Sequence, residues 1–279
     1  MFKVNSLRQR HLLGILVGCV IAFVLIVMLF PIFWIGISSF KLMRDIFSMP
    51  PVWVCYYTLE HYVTALFGRQ IVRSFVNSVF IGFSVVLIST IIGSLAGYSF
   101  ARYKIFGEKI LLLLILVGRI VPPIVIIIPL FLLFRRAGII DTYPAVITAH
   151  MTFTLPFAIW IMRAFFKGIP WELEDAALID GCSRLMALRK VILPLAAPGM
   201  LVTGIFCFID SWNEMIMAFI ITSENVRTLP VEIAGFVSEK SIDFGPMFAA
   251  GVIALLPVVI GGIFIQKYFV KGITLGAIK

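Results

Sequence analysis

Apolar residues run almost unbroken through six stretches of this chain, near 12–38, 73–98, 110–134, 144–166, 197–222 and 246–268, and polar residues gather between them. Each run is long enough, at about 1.5 Å per residue, for a helix to cross a hydrocarbon core of roughly 30 Å. The pattern predicts an all-α, polytopic transmembrane helical bundle of about six spans. A transmembrane β-barrel would instead alternate apolar and polar positions over segments of about ten residues. The third run is the least regular, because Pro122, Pro123 and Pro129 interrupt it. Such breaks persist in lipid only where neighbours or water satisfy the freed backbone groups, so this run is expected to face protein or a cavity. The first run is too long for the apolar region of a secretory signal and no small-residue cleavage site follows it, so it is expected to be kept as a span.

Composition agrees: 61% of the 279 residues are hydrophobic and 13% charged, with mean hydropathy +1.10, against roughly 45–50% apolar residues in a soluble domain. An even number of spans puts both termini on one side. Fourteen Lys and Arg residues flank that side and eight the other, with Arg119 left inside the third run. The excess places both termini in the cytoplasm. The net charge of +9 is spread among loop ends rather than gathered in a stripe with aromatics, which speaks for orientation in a membrane and not for nucleic acid.

Chemistry-bearing motifs are sparse. Cys19, Cys55, Cys182 and Cys207 show no CxxC or Cys/His spacing, so neither a metal site nor a disulfide framework is indicated. His11, His61 and His150 are isolated. The sequence contains no HExxH, GxSxG or paired-aspartate motif, so no catalytic residue is expected. It also lacks GxxxxGKS or GxxxxGKT, leaving no recognisable cradle for ATP phosphates.

The polar stretch 167–195 stands out between the fourth and fifth runs. Pro170 suits a first helical position, Glu172, Glu174 and Asp175 favour a helix N-terminus, and Gly181 suits a left-handed stop. Ser183 can cap a second short helix that Pro194 is expected to halt. An amphipathic hairpin lying on headgroups is the plain reading. Acids around Ala176 and Ala177 suit an anionic leaflet poorly, which favours a protein partner.

Asp175-Ala176-Ala177, then Gly181, then Val191-Ile192-Leu193-Pro194 keep the spacing of the EAA signature, with Asp for Glu and Val for Ile. On these residues the chain resembles the membrane permease subunits of binding-protein-dependent ABC importers. The likeness extends through GYSFARYKIFGEK, VPPIVIIIPLFLLFRRAGIIDTYPAVI and QKYFVKGITLGAIK, and it is similar within the carbohydrate class to the six-span subunit of maltose-type transporters. The resemblance implies a prokaryotic inner-membrane complex with a second permease, two cytoplasmic ATPase subunits that hold ATP and Mg, and an extracytoplasmic sugar-binding protein. It implies that 167–195 is a coupling loop, with Glu174, Asp175, Ala176, Ala177, Gly181, Leu193 and Pro194 as ATPase-coupling residues. Either Glu174 or Asp175 could supply the acidic contact. It also suggests that the tail 272–279 reaches the ATPases and that the loop 223–245 probes the binding protein.

Arg119, Asp210, Asn213 and Glu214 lie in or near apolar runs, where an unpaired charge costs about 2.5–3.5 kcal/mol on insertion scales. Pairing of Arg119 with Asp210 or Glu214 would relieve this. Asp210 to Met215, DSWNEM, combines an indole with amide and carboxylate groups, a chemistry that also binds sugars. Trp212, Asn213, Glu214, Asp210, Arg119 and Asn77 are therefore candidates for the substrate pathway, with Tyr98 a weaker one. Gly14 to Gly18 and Gly93 to Gly97 each read GxxxG, a spacing that serves packing inside the bundle or an interface with another subunit. An ion-coupled secondary transporter is the alternative function, with Asp210 and Glu214 as its foothold.

Overall fold

A computed structural model describes the backbone of residues 7–68, 70–237 and 242–277, and the side chains of 13–68, 70–237 and 242–263. Lys3, Lys240 and residues 278–279 lie outside the described residues, and the side chains of Arg8, Arg10, His11 and the tail from 264 onward are likewise outside them. Two compact units emerge, one of residues 1–69 with 236–253, the other of 70–235 with 254–279.

In the first unit, α1 (Leu7–Ser38) is followed by the short α2 (Met43–Ile46) and by α3 (Glu60–Gly68). Most described side chains of α1 are exposed and apolar, as expected of a surface that meets lipid rather than water. The chain after α1 is pinned by Lys41, whose buried Nζ donates to the Val52 carbonyl at 2.8 Å and lies 4.9 Å above the Trp34 ring. Both contacts compensate a charge that burial would otherwise penalise.

The second unit is organised by α4 (Ile71–Arg102), which carries Ser, Gly and Asn along its buried side and Phe, Leu and Ile outward. Then come α5 (Glu108–Ile120), α6 (Pro123–Arg136) and α7 (Tyr143–Gly168). Gly93 and Gly97 let α7 approach closely: a Cβ on Gly93 would sit 2.6 Å from the Ala158 Cβ, and one on Gly97 would sit 2.8 Å from the Arg163 nitrogen. This GxxxG thus serves packing within the bundle. Around Gly14 and Gly18 no described atom comes within 4 Å of such a Cβ.

Beyond α7 lie α8 (Glu172–Ile179) and α9 (Arg184–Ala187). A π-helical turn (Leu188–Ile192) then leads straight into α10 (Leu193–Asn213). Here the expectation from sequence is corrected. Pro194 does not halt the second helix of the loop; Arg184–Asn213 forms one candidate span. The wider turn, marked by the Leu193 N–H bonding back to the Leu188 carbonyl, relieves the crowding that a proline ring imposes on the preceding turn.

The fifth apolar run likewise ends as a continuous helix at Asn213, and α11 (Ile216–Ile221) follows as a separate piece, then α12 (Leu229–Ala234) and α13 (Phe244–Ala277). The third run is broken between Ile120 and Pro123, with α5 and α6 bent by 93°. Five described helices are long and apolar enough to cross a membrane, or six spans if the bent pair counts as one. Two apolar clusters occupy different stations on α4: Ile81 and Val85 pack with Ile127, Phe134 and Met217, while Tyr98 packs with Met162, Phe166, Leu188 and Ile192.

Candidate functional site

At the Tyr98 station, Trp171 to Leu195 forms an elbow. The acids of the first turn of α8 suit its positive end, but they point to different places. Glu174 is 2% exposed; its Oε1 accepts the Tyr98 hydroxyl at 2.5 Å and its Oε2 lies 3.1 Å from Arg102 Nε. Arg102 also donates from Nη2 to the Ile169 carbonyl at 3.0 Å, and its guanidinium covers the Trp171 ring at 4.5 Å. Glu174 is therefore occupied by Tyr98 and by Arg102, at the end of α4.

Asp175 and Ala176 are exposed, whereas Ala177 is buried. Helix α8 ends in a Schellman arrangement: Gly181 N–H bonds the Leu178 carbonyl, Cys182 N–H bonds the Ala177 carbonyl, and Gly181 takes φ +85°. Ser183 Oγ accepts the Met186 N–H at 3.3 Å, capping α9 as its position suggests. Leu193 packs against the Tyr98 cluster, and Pro194 faces outward from a continuous helix. Sequence reading missed Ile179 and Leu185, which are 86% and 61% exposed at this elbow. Each stands beside other apolar residues, Leu178 and Met186, and the sequence does not mark which of them faces outward.

The second cluster sits where the third and fifth apolar runs break. Arg119 Nη1 and Asp210 Oδ2 are 2.6 Å apart. Glu214 takes another role, accepting the Met217 and Ala218 N–H groups at 2.8 and 3.0 Å and so capping α11. His150, isolated in sequence, is fully buried with Nδ1 2.8 Å from Ser211 Oγ and Nε2 3.3 Å from Glu214 Oε2. Beside them opens a cavity of about 310 Å³ lined by Arg119, Glu214, Phe153 and an apolar wall of Val121, Pro123, Ile126 and Met217.

Several pathway candidates are not in this cavity. Trp212 is 3% exposed, stacks on Phe208 and donates to the Ala254 carbonyl at 3.2 Å, so its indole is spent on packing. Asn213 is exposed at the end of α10 and does not line the cavity. Asn77 is buried, accepting from Tyr143 Oη at 2.7 Å and donating to the Asn225 and Arg227 carbonyls at 3.3 and 3.0 Å. It holds the connection between α11 and α12.

The same connection is held by Asp141, which sequence reading passed over. Its backbone has φ +58°, and its carboxylate accepts the Ser223, Asn225 and Val226 N–H groups. Burial acts to raise its pKa, but these backbone hydrogen bonds outweigh it and hold the carboxyl below the usual aspartate range.

Residues 89–275 match the family described as Binding-protein-dependent transport system inner membrane component. The chain belongs to this family. The trehalose/maltose transport system permease protein MalG of Thermococcus litoralis is 35% identical over 91% of this chain and 92% of its own length. The trehalose transport system permease protein SugB of Mycobacterium tuberculosis is 34% identical over 90% and 92%. A bacterial ABC transporter involved in the import of the acidic polysaccharide alginate shares the fold, with TM-score 0.77 and 23% identity, covering 96% of this chain and all of that one. The protein is thus a non-enzymatic, multi-pass membrane subunit of an ATP-driven importer. The ion-coupled alternative finds no support.

Proposed function

We propose that this chain forms part of the passage of a sugar importer and takes its motion from cytoplasmic ATPases through the elbow at 167–195. Relatives named for trehalose and maltose transport support a carbohydrate as cargo. In this reading a second permease completes the passage, two ATPase subunits carry ATP and Mg, and an extracytoplasmic binding protein delivers the sugar. Both termini lie in the cytoplasm, on the side richer in Lys and Arg.

The observation that carries the elbow assignment is its split surface. Ile179 and Leu185 are exposed, as are Asp175 and Ala176, while Glu174 is bound inward to Arg102. Large apolar side chains left bare in a polar loop suit a protein surface. Asp175 is therefore the acid that reaches the ATPase, and Glu174 is the anchor that ties α8 to α4. Closure of the ATPases then moves α4 and α10 with the elbow.

The test is cross-linking in native inner-membrane vesicles, with Ala176→Cys in a chain whose Cys182 is replaced by serine. Cross-links to an ATPase subunit are expected. Repeated absence of that product, or labelling of the introduced thiol from the outer face, would overturn the assignment.

A further inference from the structure

We propose that the cavity at the bend between α5 and α6 is a carbohydrate subsite of this chain that accepts an uncharged sugar ring and disfavours a uronate. The proposal rests on the sugar-import reading above. At about 310 Å³ the space lies at the small end of the ~300–1,000 Å³ typical of ligand pockets, which suits one ring rather than a long chain. Phe153 offers an aromatic ring for the C–H side of a pyranose, while Arg119 supplies the polar edge. Trp212, the ring that the sequence offered for stacking, is buried elsewhere.

Charge decides the class of sugar. The Arg119 guanidinium is neutralised by Asp210 at 2.6 Å, and the Glu214 carboxylate in the lining is already held by the Met217 and Ala218 N–H groups and by His150. An anionic sugar would therefore find no uncompensated cation. Both members of the Arg119–Asp210 pair are partly exposed, 35% and 26%, so hydroxyl groups can reach them without breaking the pair. The fold is shared with an importer of an acidic polysaccharide, so side chains, not architecture, set this preference.

The test uses the purified complex of both permeases and the ATPases, without binding protein, and saturation-transfer NMR with trehalose, maltose and diacetylchitobiose, each against its singly oxidised uronate. The neutral member of the best-bound pair is expected to bind about tenfold more tightly. Asp210→Asn frees the Arg119 charge and is expected to bring the two within about threefold of each other. Phe153→Ala tests the stacking face independently of the ion pair, and is expected to weaken neutral-sugar binding about fivefold. Binding that keeps its affinity and its neutral-to-uronate ratio in both variants overturns the subsite alone. A wild-type complex that binds none of these sugars while taking up a solute that is not a saccharide overturns the sugar-import reading, and the subsite with it.

Discussion

Arg102 and Glu174 keep 1% and 3% of their side-chain surface exposed, whereas Arg119 and Asp210 keep 35% and 26%. Both pairs join segments far apart in sequence, yet they suit different work. A buried pair tolerates little displacement, because separating its charges leaves each unsolvated. That makes Arg102–Glu174, with the Tyr98 hydroxyl and the Ile169 carbonyl, a stiff joint between the elbow and α4. A partly exposed pair can exchange partners with water or a ligand at small cost. That suits Arg119–Asp210 to the wall of a passage.

The contrast breaks most visibly at the joint. Arg102→Met strands a buried carboxylate and is expected to destabilise the complex by about 3–5 kcal/mol. Thermal unfolding of the purified complex measures this, and pairing the change with Glu174→Met should recover much of the loss. Gly181→Leu forces a branched side chain to φ +85°, a strain of about 1–2 kcal/mol. ATP hydrolysis should continue while sugar uptake falls in proteoliposomes; unchanged uptake at normal expression would count against a coupling role.

At the half-open pair the stability effect should be smaller. Arg119→Gln leaves Asp210 without its partner but a quarter exposed, and is expected to lower the unfolding midpoint less than Arg102→Met does; an equal drop would erase the distinction. Asp175→Asn should alter stability by less than about 0.5 kcal/mol, while less ATPase co-purifies with the membrane subunits.

The least global effect is expected at Asp141. Its folded pKa lies below the unfolded value of about 3.9, so its contribution is fully present above that value and is lost as pH falls through the folded one. Hydrogen exchange at the Ser223, Asn225 and Val226 amides should accelerate only in that acid range. Equal acceleration at neutral pH would show that the carboxylate does not hold the loop.

Legibility followed distance along the chain. The π turn before Pro194 escaped sequence reading because relief of a proline by widening the preceding turn depends on how α10 leaves the elbow. Ser183 as a cap and Gly181 as a left-handed stop were readable, since each acts on backbone within a few residues. Glu174 and Asp175 could not be told apart from sequence, because which acid turns inward depends on Arg102 and Tyr98 more than seventy residues earlier. The candidate pathway was legible in its ion pair but not in its lining: Trp212 turned into the bundle, and Phe153 took a place at the cavity.

The sequence by itself determined that the chain is helical and that prolines interrupt its third apolar run, because lipid offers no partner to a backbone amide and each span must satisfy its own. Its spaced acidic motif pointed to the importer family to which the chain belongs. Tertiary structure alone decided which polar groups meet, from Tyr98 with Glu174 to Asn77 with the Arg227 carbonyl. The cost of burying a polar group is met by whichever partner the packed helices bring within about 3 Å, and local sequence carries no record of that partner.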